Sequence, residues 1–156
     1  MIGASLSRWT MSYFAAALAC LLGGEALMAA GFGFPHAALR SPDTLVLVHV
    51  VAIGWLSLLM CGALFQFLPV LVAQPLHSNA SPAPALACLL LGLATLLSGF
   101  LQLGGRLPQG LPLLPAGGVL LSLGFAIVLW NLARTLLAAR SRPAPARFVA
   151  VALGAV

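Results

Sequence analysis

The stretch HVVAIGWLSLLMCGALFQFLPVL runs from His49 to Leu71 and contains no aspartate, glutamate, lysine or arginine in its twenty-three residues. A helix of about 20 apolar residues crosses the roughly 30 Å hydrocarbon core of a bilayer. A backbone in lipid must satisfy its own hydrogen bonds, and a helix does so within one segment. The stretch therefore predicts a transmembrane helix, and the fold follows from it.

The composition of the whole chain extends this prediction. Hydrophobic residues make up 62% of the sequence and charged residues 6%, with a mean hydropathy of +1.13. Soluble domains contain about 25% charged residues. The seven basic residues are all arginine, scattered at the ends of apolar segments, where cations anchor membrane helices. A nucleic-acid site needs a continuous basic face, so the predicted partner is the lipid bilayer and not nucleic acid.

Four apolar stretches are long enough to span a membrane, at 11–34, 44–73, 84–104 and 113–136. The connectors between them are rich in proline and glycine, which end helices. A last apolar segment, 148–156, would cover only about 13 Å as a helix, and we expect it to begin a fifth helix of a longer protein. The sequence thus predicts an all-α, polytopic membrane protein: a four-transmembrane-helix bundle with the start of a fifth helix, in one domain (1–156).

The arginines also predict the orientation, because cytoplasmic loops carry an excess of basic residues. With the N-terminus in the cytoplasm, five arginines lie inside and two lie outside. The inner set is Arg8, Arg134, Arg140, Arg142 and Arg147, and the outer set is Arg40 and Arg106. Arginine-only basicity and abundant alanine suggest a bacterial source. The predicted location is therefore a bacterial inner (plasma) membrane.

Small residues at helical spacing predict where the helices pack, because small side chains let backbones approach in lipid. Three such stripes are present. They are Ala19, Gly23, Ala26 and Ala30 in the first span; Gly54, Ser57 and Cys61 in the second; and Cys88, Gly92, Thr95 and Gly99 in the third.

His49 is the first candidate site residue. It lies six residues after Asp43, or about 9 Å into the second span. Ile53, Leu56 and Met60 follow it at helical spacing, so we expect one apolar face below the imidazole. A nitrogen ligand above an apolar wall suits a haem. The alternative is a histidine that bonds the carbonyl of a neighbouring helix.

Glu25 is the second candidate, because a carboxyl group within a membrane span is a functional hypothesis by default. We expect it near the depth of His49. In the functional interpretation it hydrogen-bonds His49, orients a metal-bound imidazole or relays protons. In the alternative it is a protonated glutamic acid paired with a backbone carbonyl.

The second span resembles the second transmembrane helix of the haem-copper oxidase subunit I-like superfamily, which includes cytochrome oxidase and nitric oxide reductase catalytic subunits. The matching residues are His49, Gly54, Trp55, Gly62, Ala63, Leu64, Gln66, Phe67, Leu68, Pro69 and Val70. The resemblance implies the N-terminal part of that fold, its first four to five helices, with His49 as an axial ligand of haem b. The family's second axial histidine and its copper ligands come from later helices that this sequence does not contain. The second axial histidine would therefore come from remaining helices or from another subunit.

The leading hypothesis is accordingly a haem-binding membrane subunit that transfers electrons and is not a complete oxidoreductase. His49 is the expected metal ligand, Ile53, Leu56 and Met60 line the haem, and no catalytic residue is assigned. Two alternatives stay open. One is a small proton-coupled exporter that uses Glu25, and the other is a ligand-free membrane scaffold whose polar residues bond across helices.

Overall fold

The computed structural model describes residues 8–139 and, beyond them, residues 149, 151 and 154. The described part of the chain forms four long helices: α1 (Arg8–Ala29), α2 (Pro42–Val72), α3 (Pro82–Leu103) and α4 (Leu113–Ala138). Each is long and apolar enough to cross a membrane, which confirms the predicted all-α, four-helix membrane bundle. The predicted fifth helix falls largely outside the described residues, as do Arg140, Arg142 and Arg147.

Consecutive helices run antiparallel, so the loops gather at two ends. The proximal end holds Arg8, the 73–81 loop and Ala138, and the distal end holds the 30–41 and 104–112 loops. Helix α2 lies between α1 and the closely paired helices α3 and α4. Its first two turns pack mainly against α3, and its proximal part packs against both α1 and α4. Helix α2 therefore contacts every other helix of the described bundle.

Helix α1 ends at Ala29, before the predicted end at Phe34. Gly31 adopts a φ of +77°, a left-handed conformation that glycine reaches without steric cost. The amides of Gly31 and Phe32 donate to carbonyl oxygens of the last helical turn, at 3.0 Å each, in a Schellman motif. The predicted span was too long because it counted the apolar residues of the following loop as helix.

Glycines allow α3 and α4 to approach closely. A Cβ added at Gly92, Gly99, Gly117 or Gly124 would lie within 3.0 Å of an atom of the other helix. The predicted packing stripe on α3 is therefore confirmed at Gly92 and Gly99. Gly92 and Gly99 lie seven residues apart on α3, as Gly117 and Gly124 do on α4, so each pair lies on one face of its helix.

The predicted packing stripe of small residues on α1 is wrong. Ala19, Gly23, Ala26 and Ala30 are all exposed, and a Cβ added at Gly23 would meet no atom within 4 Å. The buried face of α1 instead carries Thr10, Tyr13, Ala17 and Gly24. Both faces contain small residues, and the one with the large Tyr13 side chain is buried because that ring fills the space beside Phe65 of α2, with ring centroids 5.5 Å apart.

Buried polar side chains close the proximal end. The Asn131 side chain accepts a hydrogen bond from the Ser78 amide and donates one to the Ser78 carbonyl, both at 2.9 Å. Thr135 accepts from the amide of His77 at 2.9 Å. The Tyr13 hydroxyl donates to the carbonyl of the first α3 residue at 3.0 Å. These bonds tie the 73–81 loop to the bundle.

Candidate functional site

The first turn of α2 sets the depth of His49. Ser41 caps the helix, because its Oγ accepts a hydrogen bond from the Thr44 amide at 3.3 Å, and Pro42 occupies the first turn. The helix therefore begins at Pro42, slightly earlier than the predicted Thr44. His49 lies about two turns inside this start, as the sequence predicted.

A π-helical segment follows His49 directly, from Val50 to Ser57. Within it the Leu58 amide donates to the Ile53 carbonyl, and the Ser57 hydroxyl donates to the Ala52 carbonyl at 2.8 Å; both acceptors lie five residues back. Such segments are rare and often occur at functional sites. The segment widens α2 next to the imidazole.

Gly54, at the middle of the π-helical segment, marks the closest approach of three helices. A Cβ at this position would lie 2.8 Å from Cys20 Sγ of α1 and 3.0 Å from a Leu93 methyl group of α3. Only glycine fits this junction without a shift. The junction fixes the position of α2 one turn below His49.

The His49 imidazole is oriented by its own helix. Its Nδ1 lies 2.7 Å from the Leu45 carbonyl oxygen. Because a carbonyl oxygen only accepts hydrogen bonds, Nδ1 is the donor in this contact, and Nε2 is the ring nitrogen left to face a ligand. No described residue forms a hydrogen bond with Nε2. The ring is half-buried and lies against Phe100 of α3, with centroids 4.8 Å apart.

The three residues predicted to continue the His49 face differ in their burial. Ile53 packs against the core, whereas Leu56 is 46% exposed and Met60 is 58% exposed. The prediction assumed 3.6 residues per turn throughout. The hydrogen bonds of the π-helical segment span five residues, so each residue turns less about the axis and the later positions drift away from His49.

Two apolar grooves lie on the bundle surface, and His49 lines neither. One, of about 500 Å³, lies between α2 and α4 and includes Cys61 and Phe125. The other, of about 370 Å³, lies at the distal end and includes Met28, Val48 and Leu56. The imidazole instead lies between α2 and α3, against the Phe100 ring.

Glu25 lies close to the predicted depth but points elsewhere. Its neighbour Gly24 packs against Val50 and Val51, next to His49 along α2. The Glu25 side chain is exposed on α1, four residues before the helix ends, and no hydrogen bond or ion pair joins it to His49 or to any other described residue. The structure thus brings Glu25 to the level of His49 without bringing the two groups into contact.

An ion pair that the sequence pattern did not predict joins the first turn of α2 to the loop that follows α3. Arg106 Nε donates to Asp43 Oδ1 at 3.0 Å, and Nη2 donates to Oδ2 at 2.7 Å. The guanidinium lies 5.3 Å from the centroid of the Phe32 ring. The hydrogen bond to Asp43 and its charge raise the pKa of Arg106 further above its usual value. The available signal was the opposite charge of two residues on the same predicted side.

The donor set around His49 selects among metal-containing groups. Among the described residues, no cluster of three or more histidine, cysteine, aspartate or glutamate side chains is placed to hold a metal ion. A protein-held metal ion needs three or four such ligands. A haem brings four nitrogens of its own and needs only one or two axial ligands. A single open imidazole nitrogen fits the second case.

The remaining histidines and the cysteines do not join the site. His36 and His77 are exposed in loops at opposite ends of the bundle. Cys20, Cys61 and Cys88 are free thiols on three different helices. His49 is therefore the one imidazole that lies within a helix of the described bundle.

Comparison of the chain with family models, with curated proteins and with solved structures finds no match.

Proposed function

We propose that this chain is a haem-binding part of a membrane electron-transfer protein, with His49 as an axial ligand of the iron. The observation that carries the proposal is the contact between His49 Nδ1 and the Leu45 carbonyl oxygen. The two atoms lie 2.7 Å apart, and Nε2 remains without a described partner. Iron-bound histidines commonly donate their second N–H to a carbonyl or carboxylate, which sets the ring orientation and increases ligand basicity.

Three further features support this proposal. The imidazole is half-buried within an apolar span, so its polar atom lies where an unpaired nitrogen is costly. The π-helical segment begins at the next residue. Phe100 packs on the ring and restricts its rotation.

The chemistry that haem supplies when bound is one-electron transfer at a potential set by the axial ligand and by burial. In this proposal His49 binds and orients, Phe100 holds the imidazole plane, and the apolar surfaces of α2 and α3 exclude water. In this proposal a second ligand to the iron would come from further helices or from another subunit. In this proposal the chain lies in a bacterial inner membrane with its N-terminus in the cytoplasm, which places His49 toward the outer side.

The experiment is a visible spectrum of the chain purified in detergent, recorded with added haem in the oxidised and reduced forms. We expect a Soret band that shifts on reduction, and we expect His49→Ala to abolish it. His36→Ala and His77→Ala are the matched controls, because both remove an exposed loop imidazole.

Two results would overturn the proposal. One is the absence of haem binding by the wild-type chain when it is folded, as judged by its helical circular dichroism. The other is equal haem binding by the wild type and the His49→Ala variant. If only His36→Ala or only His77→Ala abolished haem binding, the iron ligand would be that loop histidine and not His49.

A further inference from the structure

We infer that the proximal end of the bundle binds the phosphate headgroups of anionic phospholipids through two arginine–tryptophan pairs. One pair is Arg8 with Trp9 at the start of α1, and the other is Arg134 with Trp130 near the end of α4. The inference does not depend on haem binding at His49, because both pairs lie at the other end of the bundle.

The α4 pair lies at the level of the 73–81 loop. Asn131 and Thr135 bond to the backbone of this loop, and the residues that precede them, Trp130 and Arg134, have exposed side chains. The Trp130 side chain is 63% exposed, and tryptophan prefers the interface between lipid and water. The level of the loop and the exposed ring therefore place Arg134 at the headgroup region of a bilayer.

The α1 pair lies at the same end and at a similar level. The Tyr13 hydroxyl donates to the carbonyl of Pro82, the residue at which α3 begins after the loop. Trp9 lies about one helical turn closer to the start of α1 than Tyr13. Arg8 and Trp9 therefore also lie at the level of the 73–81 loop.

No acidic side chain balances the charge of these arginines. The whole sequence contains two acidic residues, Glu25 and Asp43. Glu25 lies about 25 Å from Arg8 along α1, and Asp43 pairs with Arg106 at the distal end. The counter-charge at the proximal end therefore comes from outside the side chains of this protein. In a membrane, the anions at this level are lipid phosphates.

The two guanidinium groups are placed to bind a phosphate. The central carbon of the group lies 4.6 Å from the Trp9 ring centroid in Arg8 and 5.4 Å from the Trp130 ring centroid in Arg134. A guanidinium over a ring uses its face for that contact, and its N–H donors point outward in its plane. No described residue accepts a hydrogen bond from these donors. Arginine can therefore bind a phosphate through two parallel hydrogen bonds while it stays on the ring.

The test uses tryptophan fluorescence as a local probe of the neighbouring lipid. Trp9→Phe combined with Trp55→Phe leaves Trp130 as the single tryptophan. This chain is reconstituted into mixed vesicles of phosphatidylglycerol and phosphatidylcholine, in which one of the two lipids carries brominated acyl chains. Brominated lipid quenches a tryptophan that it contacts, so the two quenching curves give the local lipid preference. We expect phosphatidylglycerol to be preferred about fivefold, the factor typical of one basic residue at an anionic surface.

Variants of this single-tryptophan chain assign the preference to the arginine. Arg134→Ala should abolish it, and Arg134→Lys should keep part of it, because lysine keeps the charge without the planar fork. Arg40→Ala is the matched control, because Arg40 is exposed at the distal end and lies over no described aromatic ring. It should leave the preference at Trp130 unchanged. Helical circular dichroism checks that each variant folds.

A salt titration tests the inference without any change at Arg134. Raising the salt to about 1 M should reduce the preference of the chain that keeps Arg134, because charges are then screened within about 3 Å. The chain that keeps Trp9 as its single tryptophan tests Arg8 in the same way, with Arg8→Ala as the variant.

Four results would overturn the inference. Equal quenching by the two lipids in the chain that keeps Arg134 would show no selection of anionic lipid. A preference that survives Arg134→Ala, or that high salt leaves unchanged, would show that another group selects the lipid. Equal loss in Arg134→Ala and Arg40→Ala would show an effect of net charge and not of the proximal pair.

Discussion

The polar side chains at the proximal end and the imidazole of His49 differ in how fully they are hydrogen-bonded. At the proximal end, Asn131 and Thr135 are buried almost completely, and each makes hydrogen bonds to the backbone of the 73–81 loop. At the distal end, His49 satisfies one ring nitrogen and leaves the other open.

This difference distinguishes side chains that stabilise the fold from a side chain that is available to a ligand. A buried polar group costs free energy unless it is hydrogen-bonded. The fully bonded proximal residues therefore stabilise the fold, and each can be explained without a ligand. No described residue bonds Nε2 of His49, and this is the nitrogen that we propose binds a ligand. The predictions below test this division.

The largest expected effect is on stability at the proximal end. Asn131→Ala leaves the amide and carbonyl of Ser78 without their partners, and we expect a loss of about 3 kcal/mol in the free energy of unfolding. Denaturation in mixed detergent micelles measures it. Asn79→Ala is the control, because Asn79 is exposed in the same loop, and it should change little. Equal stability of the two variants would contradict a structural role for Asn131.

A smaller loss of stability is expected at the junction below His49. Gly54→Ala places a methyl group 2.8 Å from Cys20 Sγ, so neighbouring helices must shift, at a cost of about 2 kcal/mol. Gly23→Ala, on the exposed face of α1, should be neutral or slightly stabilising, because alanine favours a helix over glycine. The same unfolding measurement compares the two. If Gly23→Ala were the more damaging, the exposed face of α1 would be a packing surface.

The smallest effect is expected at Glu25. No hydrogen bond joins its side chain to His49, so Glu25→Gln should leave the affinity for haem and the Soret position unchanged. Titration of the variant with haem measures both. A shifted Soret band would show that Glu25 acts on the His49 ligand after all.

Most of the fold could be predicted from the apolar segments alone. Length and hydropathy predicted four helices, and α4 begins at the predicted Leu113. The end of α1 could not be located in this way, because Phe32 and Phe34 are as apolar as the helix; Gly31 was the available signal. The predicted packing stripe on α1 was wrong because two faces of this helix carry small residues. The packing of Tyr13 against Phe65 decides which face is buried.

The site was predicted less completely. The position of His49 about two turns into α2 followed from Asp43 and the helical rise, as the structure confirms. The directions of Leu56 and Met60 could not be projected from the sequence, because nothing in the pattern indicates a π-helical segment, through which a projection at 3.6 residues per turn does not hold. The contacts with Phe100 and between Asp43 and Arg106 depend on how α2 and α3 align, which one helix alone does not define.

The most direct test of the central claim is the ¹⁵N NMR spectrum of histidine-labelled protein, recorded at neutral pH with and without haem. The His49 resonances are assigned by comparison with His49→Ala. Without haem we predict the Nδ1–H tautomer for His49, with Nε2 unprotonated. With haem we predict a strongly displaced Nε2 resonance for His49 and no comparable displacement for the other two histidines. An Nε2–H tautomer, or a His49 spectrum unchanged by haem, would contradict the assignment of His49 as the iron ligand.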